Sequence, residues 1–179
     1  MLEPHDCCLT VIDVQGKLAQ LMYEKQSLFS NIRILIQAAQ ILDIPILWCQ
    51  QCPDAIGPTL PEIAELLTGI EPIDKAGFSC CRSEQFNAQL KDLNRSQAML
   101  CGIETHVCVY QTALDLTRKG YEVTVPSDAV SSRSVGNRQV GLERMSAAGV
   151  QISSTEMSLF ELIKTAEHPK FRQLVRLVK

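Results

Sequence analysis

The chain has 179 residues, of which 46% are hydrophobic and 21% are charged, and its formal net charge at pH 7 is −3. These values are typical of a globular protein with a sizeable core, and we interpret residues 1–179 as a single domain. They exclude the strongly basic composition of many nucleic-acid-binding proteins and give no basis for binding an anionic membrane.

The pattern of apolar residues adds to these exclusions. No apolar run approaches the roughly 20 residues of a membrane span, and the amino terminus carries acidic residues where a secretory signal has basic ones. We therefore expect a cytoplasmic protein. Its partner is predicted to be a small-molecule substrate, with neither nucleic acid nor membrane involved.

The cysteine content does not require disulfide bonds. A chain of this length builds a core without them, so we predict mostly reduced, buried thiols. The spacing Cys49-x-x-Cys52 leaves a thiol-redox role open, because such pairs occur in redox proteins. Zinc is weakly supported, because no second cysteine pair or histidine cluster lies nearby. No metal or cofactor is predicted. The eight cysteines are Cys7, Cys8, Cys49, Cys52, Cys80, Cys81, Cys101 and Cys108.

Apolar runs alternate with amphipathic segments in the first half of the chain. Residues 7–13 form a continuous apolar run that ends in an acid, as expected of a central parallel strand. Ser27 is predicted to cap a long helix that reaches about residue 43 and carries an apolar stripe. Residues 51–60 are predicted to be an irregular loop, because prolines and a glycine interrupt them.

The second half repeats the alternation. Ser83 is predicted to begin a helix, and the spacing of Ser153 and Glu156 is that of a capping box for a helix to about residue 166. Residues 128–132 are predicted to be a polar loop. The whole pattern indicates a three-layer α/β fold with a mostly parallel sheet and helices on both faces. The six predicted strands are 7–13, 44–50, 71–75, 97–101, 121–126 and 150–153.

Several common motifs of such folds are missing. The residues after the first strand read DVQGKL, without the glycines of a dinucleotide-binding turn. The chain also lacks a phosphate-binding P-loop and the G-x-S-x-G turn of serine hydrolases. The sequence therefore carries no usual mark of nucleotide binding or serine hydrolysis.

A cysteine lies at a predicted strand–turn–helix corner within residues 98–113. Gly102 follows the strand, and Thr105 or His106 is predicted to open the helix, which places Cys108 in its first turn. The helix dipole at this position favours a thiolate, so Cys108 is a candidate nucleophile. The alternative is a small buried residue that only packs.

Two more candidates lie at carboxyl ends of predicted strands. Asp13 ends the first strand and Lys75 ends the third. In open α/β sheets, ligands bind outside the carboxyl ends of strands, where the strand order reverses. Capping a turn is the alternative role for Asp13, and ordinary surface exposure is the alternative for Lys75. With Cys108, the two residues form an acid, a cation and a nucleophile at one edge.

Three segments carry a family resemblance. VIDVQ at 11–15, IDKAGFS at 73–79 and GIETHVCV at 102–109 resemble the isochorismatase-like cysteine hydrolases. The similarity is closer still to the isochorismatase domain-containing subgroup and covers nearly the whole chain. The segments that carry this closer similarity are GPTLPE at 57–62, DAVSSRS at 128–134 and HPKF at 168–171.

The resemblance implies a Rossmann-like, six-stranded sheet and an Asp-Lys-Cys triad. Asp13 would be the general base, Lys75 the cation that lowers the thiol pKa, and Cys108 the nucleophile. The resemblance also implies a cis peptide bond between Ile103 and Glu104, with the backbone N–H groups of Glu104 and Cys108 forming the oxyanion hole.

Departures from relatives narrow the implied activity. Nicotinamidases of this superfamily carry an Asp-x-His metal cluster after the second strand, but here that region reads WCQQCPDAIG. His5, His106 and His168 are too scattered to replace it, so no metal is expected. Isochorismatase in its well-known form lacks the cysteine, so Cys108 argues against that substrate.

We therefore predict a metal-independent cysteine hydrolase that cleaves an amide or another small carbonyl compound through a Cys thioester. The alternatives are a non-catalytic binding or scaffold protein of the same fold, or the redox protein suggested by Cys49 and Cys52. The candidate pocket residues are Gln15, Trp48, Gln50, Phe78 and His106.

A homo-oligomer, dimer or larger, is also predicted. The reason is an amphipathic segment after Pro169, together with a tendency of the family to assemble. Its apolar side carries Phe171, Leu174, Val175 and Val178, and its basic side carries Arg172, Arg176 and Lys179.

Overall fold

The computed structural model describes residues 1–179 and contains one parallel sheet. The order along the sheet is β3-β2-β1-β4-β5-β7, and the short β6 pairs with β4 beyond the end of β5. The α/β prediction is confirmed, although a seventh strand lies within the segment predicted as a polar loop at 128–132. The strands are β1 (Cys7–Ile12), β2 (Ile46–Gln51), β3 (Ile73–Lys75), β4 (Gln97–Ile103), β5 (Glu122–Pro126), β6 (Val130–Ser131) and β7 (Gln151–Ser153).

Helices cover both faces of the sheet. Helices α2 and α8 bury apolar side chains on one face, and α5, α6 and α7 bury theirs on the other. Strand β1 is buried along its whole length because β2 and β4 flank it. The helices are α1 (Gly16–Gln20), α2 (Lys25–Ile41), α3 (Pro53–Ile56), α4 (Pro61–Ala64), α5 (Glu84–Asp92), α6 (Tyr110–Arg118), α7 (Val135–Ala147), α8 (Thr155–Ile163) and α9 (Phe171–Val175).

Two predicted helix starts are wrong by a short distance. Helix α2 begins at Lys25, ahead of Ser27, because the Leu28 N–H already bonds to the Glu24 carbonyl oxygen. Helix α8 is capped by Ser154, whose side chain accepts the Met157 N–H, because Ser153 is still the last residue of β7. The predicted Ser83 cap of α5 is confirmed.

The segment predicted as irregular at 51–60 contains a helical turn. Strand β2 continues to Gln51, and α3 follows at once with Pro53 in its first turn. Proline is compatible with that position, because the first N–H of a helix has no partner inside the helix. Pro53 therefore begins a helical turn instead of preventing one.

The carboxyl-terminal segment does not present a free apolar face. Leu174 of α9 is buried, and Phe171 and Val178 pack against the same core as α2. The reason given for oligomerisation from this segment is therefore wrong. Larger exposed apolar side chains lie on α8, at Met157 and Phe160. None of the helices combines the length and the apolar character needed to span a bilayer.

Strand β4 passes close to β1 at Gly102, which lies opposite Ile12. A Cβ atom on Gly102 would lie 2.0 Å from the Ile12 carbonyl oxygen, and the φ angle of Gly102 is +118°. Glycine is therefore required here both for space and for backbone conformation. The requirement for glycine matters because Gly102 lies near the end of β4, just before the chain turns toward Cys108.

Replacement of Gly102 by alanine tests this requirement. Overpacking and a strained backbone each cost about 1–3 kcal/mol, so we expect Gly102→Ala to lower the free energy of unfolding by about 3 kcal/mol or more. Urea denaturation followed by circular dichroism measures the change.

The matched control is Gly120→Ala. Gly120 also has a positive φ angle, +91°, but no atom lies within 4 Å of its added Cβ. Only backbone strain then remains, which costs about 1 kcal/mol. Equal losses in the two variants would contradict a steric role for Gly102.

Candidate active site

The candidate site lies at the carboxyl edge of the central strands. Asp13 follows β1 in a left-handed backbone conformation, with φ +53°, which aspartate tolerates better than most residues. Its N–H bonds to the Cys49 carbonyl oxygen at 3.1 Å, so the turn is tied to β2. Lys75 is the last residue of β3, opposite Gln51 of β2. The strand order thus brings the acid and the cation to one edge.

Asp13 and Lys75 form a buried ion pair. The distance from Lys75 Nζ to Asp13 Oδ2 is 2.7 Å, and the two side chains are 1% and 4% exposed, respectively. Lys75 Nζ also donates to Gln51 Oε1 at 2.7 Å and to the carbonyl oxygens of Phe78 and Gly77 at 3.1 and 3.3 Å. Oxygen acceptors therefore replace the water that a buried ammonium loses.

Cys108 lies beside the carboxylate of this pair. It is 7% exposed and belongs to a π-helical turn, Thr105–Val109, that leads into α6. Asp13 Oδ2 is occupied by Lys75, whereas Oδ1 is buried and accepts no N–H or O–H bond. Cys108 and Asp13 line the same cavity, and each side chain shifts the pKa of the other, so the Asp13 oxygen that Lys75 leaves free lies in the neighbourhood of the thiol.

The surroundings of the Cys108 thiol shift its pKa upward and so favour the protonated form. Burial raises the pKa of Cys108, the Asp13 carboxylate raises it further, and Lys75 opposes both without outweighing them. The lowering of the thiol pKa by Lys75 expected from the sequence is present, but it does not set the net direction, which is upward. The physical reason is that Asp13 already neutralises the Lys75 charge, while the thiol sits in a desolvated position next to an anion.

The two partners of the ion pair respond differently to burial. Burial raises the pKa of Asp13, and Lys75 and the Cys108 thiol partly oppose this. For Lys75, burial lowers the pKa, but Asp13 and the neighbouring thiols of Cys80 and Cys108 outweigh that effect, so the net direction is upward. Lysine stays charged, and aspartate becomes a stronger proton acceptor than an exposed carboxylate.

The strand–helix corner supplies the other wall. The Ile103–Glu104 peptide bond is cis, and the Glu104 N–H donates to no backbone or side-chain acceptor. The Glu104 carbonyl oxygen accepts the N–H groups of Val107 and Val109 at 3.0 and 3.2 Å. The Glu104 carboxylate accepts both the backbone N–H and the Nε–H of Arg133 at 3.1 Å. The corner is thus held from both sides.

A cavity of about 100 Å³ opens onto these groups. A larger groove of about 720 Å³ lies beside α8, but no thiol or histidine lines it. The smaller cavity is therefore the candidate active site, because Asp13 and Cys108 line it. Its lining residues are Asp13, Gln15, Leu18, Gln51, Ile56, Phe78, Ile103, Glu104, Val107 and Cys108.

Two of the five candidate pocket residues line this cavity, namely Gln15 and Phe78. The other three lie elsewhere. Trp48 donates its indole N–H to Thr59, and Gln50 accepts from Thr59 and donates to Asp74. His106 bonds to the hydroxyl of Ser132 at 2.9 Å. These expectations used proximity in sequence, which does not decide on which face of a strand or turn a side chain lies.

Gln51 is the functional candidate that the sequence analysis missed. Its Oε1 accepts from Lys75, and its Nε2 donates to the Ala76 carbonyl oxygen at 2.7 Å. The two-residue period of a strand was the available signal. Leu47 and Cys49 face the same core as α5, and Gln51 continues that face, whereas Trp48 and Gln50 point to the other.

The Cys49-x-x-Cys52 pair does not have the geometry of a redox motif. Both thiols are free. Cys49 is fully buried, and a hydrogen bond with Cys80 together with burial raises its pKa well above the usual range. The Cys52 sulfur instead contacts the Lys75 carbonyl oxygen. Redox cysteines need an accessible thiol with a lowered pKa, which Cys49 does not provide. No group of three or more His, Cys, Asp or Glu side chains is arranged to hold a metal ion.

A model of the isochorismatase domain family matches residues 7–157. This chain belongs to the isochorismatase family. Isochorismatase domain-containing protein 2 of Danio rerio is 37% identical to it over 171 residues, which cover 95% of this chain and 85% of that protein. The secreted isochorismatase effector Isc1 of Phytophthora sojae is 37% identical over 182 residues, covering 99% and 87%.

Solved structures share the isochorismatase-family fold. A Caenorhabditis elegans protein described as MAR1 ribonuclease matches with a TM-score of 0.93 and 36% identity, covering 99% of this chain and 91% of that one. The YcaC gene product of Escherichia coli, described as an octameric hydrolase of unknown specificity, matches with a TM-score of 0.88 and 24% identity, covering 98% and 94%. At that identity, the second similarity shows the fold alone.

Substitution of Lys75 tests how much the buried Asp13–Lys75 ion pair contributes to the stability of this isochorismatase-family chain. Lys75→Met leaves the Asp13 charge buried without its cation, so we expect the free energy of unfolding to fall by about 3–5 kcal/mol. The double variant Asp13→Asn with Lys75→Met removes both charges and is expected to recover most of that loss. Urea denaturation at pH 7 measures both values.

The control is Lys164→Met, because Lys164 pairs with Glu3 at the surface. A surface pair contributes about 0–1 kcal/mol. A double variant as unstable as Lys75→Met would show that the uncompensated charge is not the source of the loss.

Proposed function

We propose that this protein is a metal-independent cysteine hydrolase that cleaves an amide or another small carbonyl compound through a thioester on Cys108. The observation that carries the proposal is the buried Asp13–Lys75 ion pair, which leaves one Asp13 carboxylate oxygen without a partner, together with the Cys108 thiol that lines the same small cavity. A nucleophile, a base and a group that orients the base form the usual set for covalent catalysis. Membership in the isochorismatase family supports this assignment.

In the first step, Asp13 accepts the thiol proton as Cys108 attacks the carbonyl carbon. A carbon–sulfur bond forms, and the carbonyl electron pair moves onto oxygen. The backbone N–H groups of Glu104 and Cys108 are proposed to receive that oxyanion. The unbonded Glu104 N–H supports this role, since pre-oriented donors at such a position contribute strongly to acyl transfer.

In the second step, the tetrahedral intermediate collapses. The bond to the leaving group breaks, and the leaving amine takes the proton from Asp13, which leaves a thioester on Cys108. Asp13 then accepts a proton from water as that water attacks the thioester. Collapse of the second intermediate releases the carboxylic acid and returns the proton to the Cys108 sulfur.

Lys75 acts in this scheme by holding Asp13. Its ammonium fixes one carboxylate oxygen and stays charged, so the other oxygen faces the thiol. Burial makes Asp13 a better base, and the raised pKa of Cys108 means that proton transfer accompanies attack instead of preceding it. This role adds to the lowering of the thiol pKa expected from the sequence, which burial and Asp13 outweigh.

A ribonuclease is the second candidate, because the C. elegans neighbour is described as one. Cleavage of a phosphodiester needs cationic or metal groups to stabilise the phosphoryl oxygens. The Lys75 ammonium is surrounded by four oxygen acceptors, and no lysine or arginine lines the cavity. These observations favour a carbonyl substrate, and nucleic acid is not proposed as a partner.

A scaffold role and a redox role receive less support. A scaffold does not need a desolvated carboxylate next to a thiol, because such a group lowers stability unless it is paired. The buried Cys49 with its raised pKa does not favour the redox role.

We further propose that residues 1–179 form one isochorismatase-like domain that assembles as a homo-oligomer in the cytoplasm. The octameric E. coli neighbour and the exposed Met157 and Phe160 support assembly. The free cysteines are compatible with a reducing compartment. A relative named as secreted shows that the family is not confined to one location.

Substitution of Cys108 and Asp13 tests the proposed chemistry. A screen of small amides, esters and thioesters, with RNA as a further substrate, is run on the purified protein. We expect Cys108→Ala to abolish hydrolysis and Asp13→Asn to lower kcat/KM by about 10²–10⁴-fold, because general-base catalysis contributes that much. Intact-protein mass spectrometry is expected to detect an acyl adduct on the wild type only.

The control is Cys52→Ala, which removes a half-buried thiol outside the cavity. It should leave hydrolysis and the adduct unchanged. Hydrolysis that persists in Cys108→Ala, or cleavage of RNA that depends on Cys108 without any acyl adduct, would refute the proposal.

The pH dependence follows from the ionisation of Asp13. Asp13 must be ionised to accept the proton, and burial raises its pKa above the ordinary value of 3.8. Activity is therefore expected to fall as the pH drops through this raised pKa. Measurement of kcat/KM against pH gives the midpoint, and a midpoint below 3.8 would contradict the assignment of Asp13 as a desolvated base.

A further inference from the structure

The polar side chains around the cavity already have partners within the protein. Gln15 Oε1 accepts the Gln51 N–H at 2.6 Å, and Gln15 Nε2 donates to the carbonyl oxygens of Gln51 and Gly57. The Gln51 amide is used by Lys75 and Ala76. Neither amide is therefore free to bind a polar group on a substrate without breaking an existing hydrogen bond.

The residues that line the cavity include two acids and no lysine or arginine. Asp13 and Glu104 are lining residues, whereas their partners Lys75 and Arg133 are not. Lys75 is 1% exposed and enclosed by oxygen atoms, and the Arg133 side chain is 58% exposed. A substrate with its own carboxylate would enter beside two anions with no free cation to pair with.

The remainder of the wall is apolar and the space is small. Side chains from α1, α3 and the Ile103–Cys108 corner supply most of this surface, with Phe78 on one side. The volume of about 100 Å³ is smaller than the roughly 150 Å³ of an apolar cavity that holds benzene. Such a space accommodates an acyl group of only a few carbon atoms. The apolar lining residues are Leu18, Ile56, Phe78, Ile103 and Val107.

We propose that the substrates are amides or related acyl compounds whose acyl group is a short, uncharged aliphatic chain, and that the carboxylate of Glu104 excludes substrates carrying a second carboxylate. This inference rests on the proposed hydrolase function, because it concerns the acyl group that Cys108 would receive. It assigns Glu104 a role in specificity through its side chain, separate from its backbone N–H.

The charge preference is measured with two alkylating agents of similar shape, iodoacetamide and iodoacetate. In each case the Cys108 sulfur displaces iodide from the CH₂ carbon, and the thiol proton passes to Asp13 and then to buffer. Peptide mass spectrometry gives the rate at Cys108, and glutathione gives the intrinsic ratio of the two reagents. We expect the preference of Cys108 for iodoacetamide to exceed that of glutathione by about 30-fold or more, because like charges close together are strongly disfavoured.

Glu104→Gln tests the residue assigned to this preference. Glutamine can still accept from Arg133, so the corner keeps its link while the negative charge is lost. The factor by which the iodoacetamide-to-iodoacetate rate ratio of Cys108 exceeds that of glutathione is expected to fall about tenfold. Glu71→Gln is the control, since Glu71 is exposed and lies outside the cavity, and it should leave the ratio unchanged. A wild-type ratio equal to that of glutathione, or a ratio unaffected by Glu104→Gln, would overturn the proposal.

Turnover separates this inference from the hydrolase proposal. Propionamide and butyramide are compared with hexanamide for length, and isovaleramide is compared with malonamate, which has a carboxylate in place of the isopropyl group. We expect the short amides to give the higher kcat/KM, and malonamate to be at least about 100-fold poorer than isovaleramide.

Cleavage of malonamate and isovaleramide at equal rates, if it depends on Cys108, would refute the inference and leave the hydrolase intact. Turnover that does not depend on Cys108 would refute the hydrolase itself. The alkylation ratio still tests the charge of the cavity in that case, because it requires no turnover.

Discussion

The ion pair between Asp13 and Lys75 bridges β1 and β3, two strands that are separated in the sheet by β2. Gln51, on the strand between them, accepts from the same ammonium. Neither charge is stable in this dry position without the other, so the turn after β1 and the end of β3 keep their relative places. The carboxylate orientation, the thiol environment and the shape of the cavity all depend on that arrangement.

The strand–helix corner meets this ion pair from the opposite side. Gly102 lets β4 run against β1, and the chain then turns through Glu104 into the helical turn that contains Cys108. One side of the candidate site is thus set by a backbone that is packed too closely for a side chain at Gly102. The other side is set by buried charges. Both are properties of rigid elements, which hold a site more accurately than mobile loops do.

Much of the fold was predictable because parallel strands in α/β proteins are continuous apolar runs, and the run at 7–13 is an example. Asp13, Lys75 and Cys108 could be found as residues that follow such runs, and the family resemblance joined them. Gln51 was missed because the end of β2 was placed one residue early, which hid its face of the strand. Prediction of β6 failed because it has only two residues, Val130 and Ser131, too few to show a period.

The electrostatic state of the site was harder to predict than its composition. Sequence reasoning paired Lys75 with Cys108, but a charge has a limited effect once a nearer group of opposite sign neutralises it. Distances of 2.7 Å and side-chain exposures of a few per cent decide which pair forms, and these depend on the folded backbone. Trp48 and His106 illustrate the same limit, since both lie near the motifs in sequence and yet contact other groups.

The upward shift of the Cys108 pKa also bears on the resistance of the protein to oxidation. Peroxides and other cellular oxidants attack thiolates far faster than thiols, and the first oxidation product leads on to irreversible acids. In the proposed mechanism, Cys108 loses its proton only while it attacks a bound carbonyl, so little thiolate is exposed to oxidants between turnovers. The Asp13 carboxylate would then protect the sulfur from oxidation in addition to serving as the proposed base.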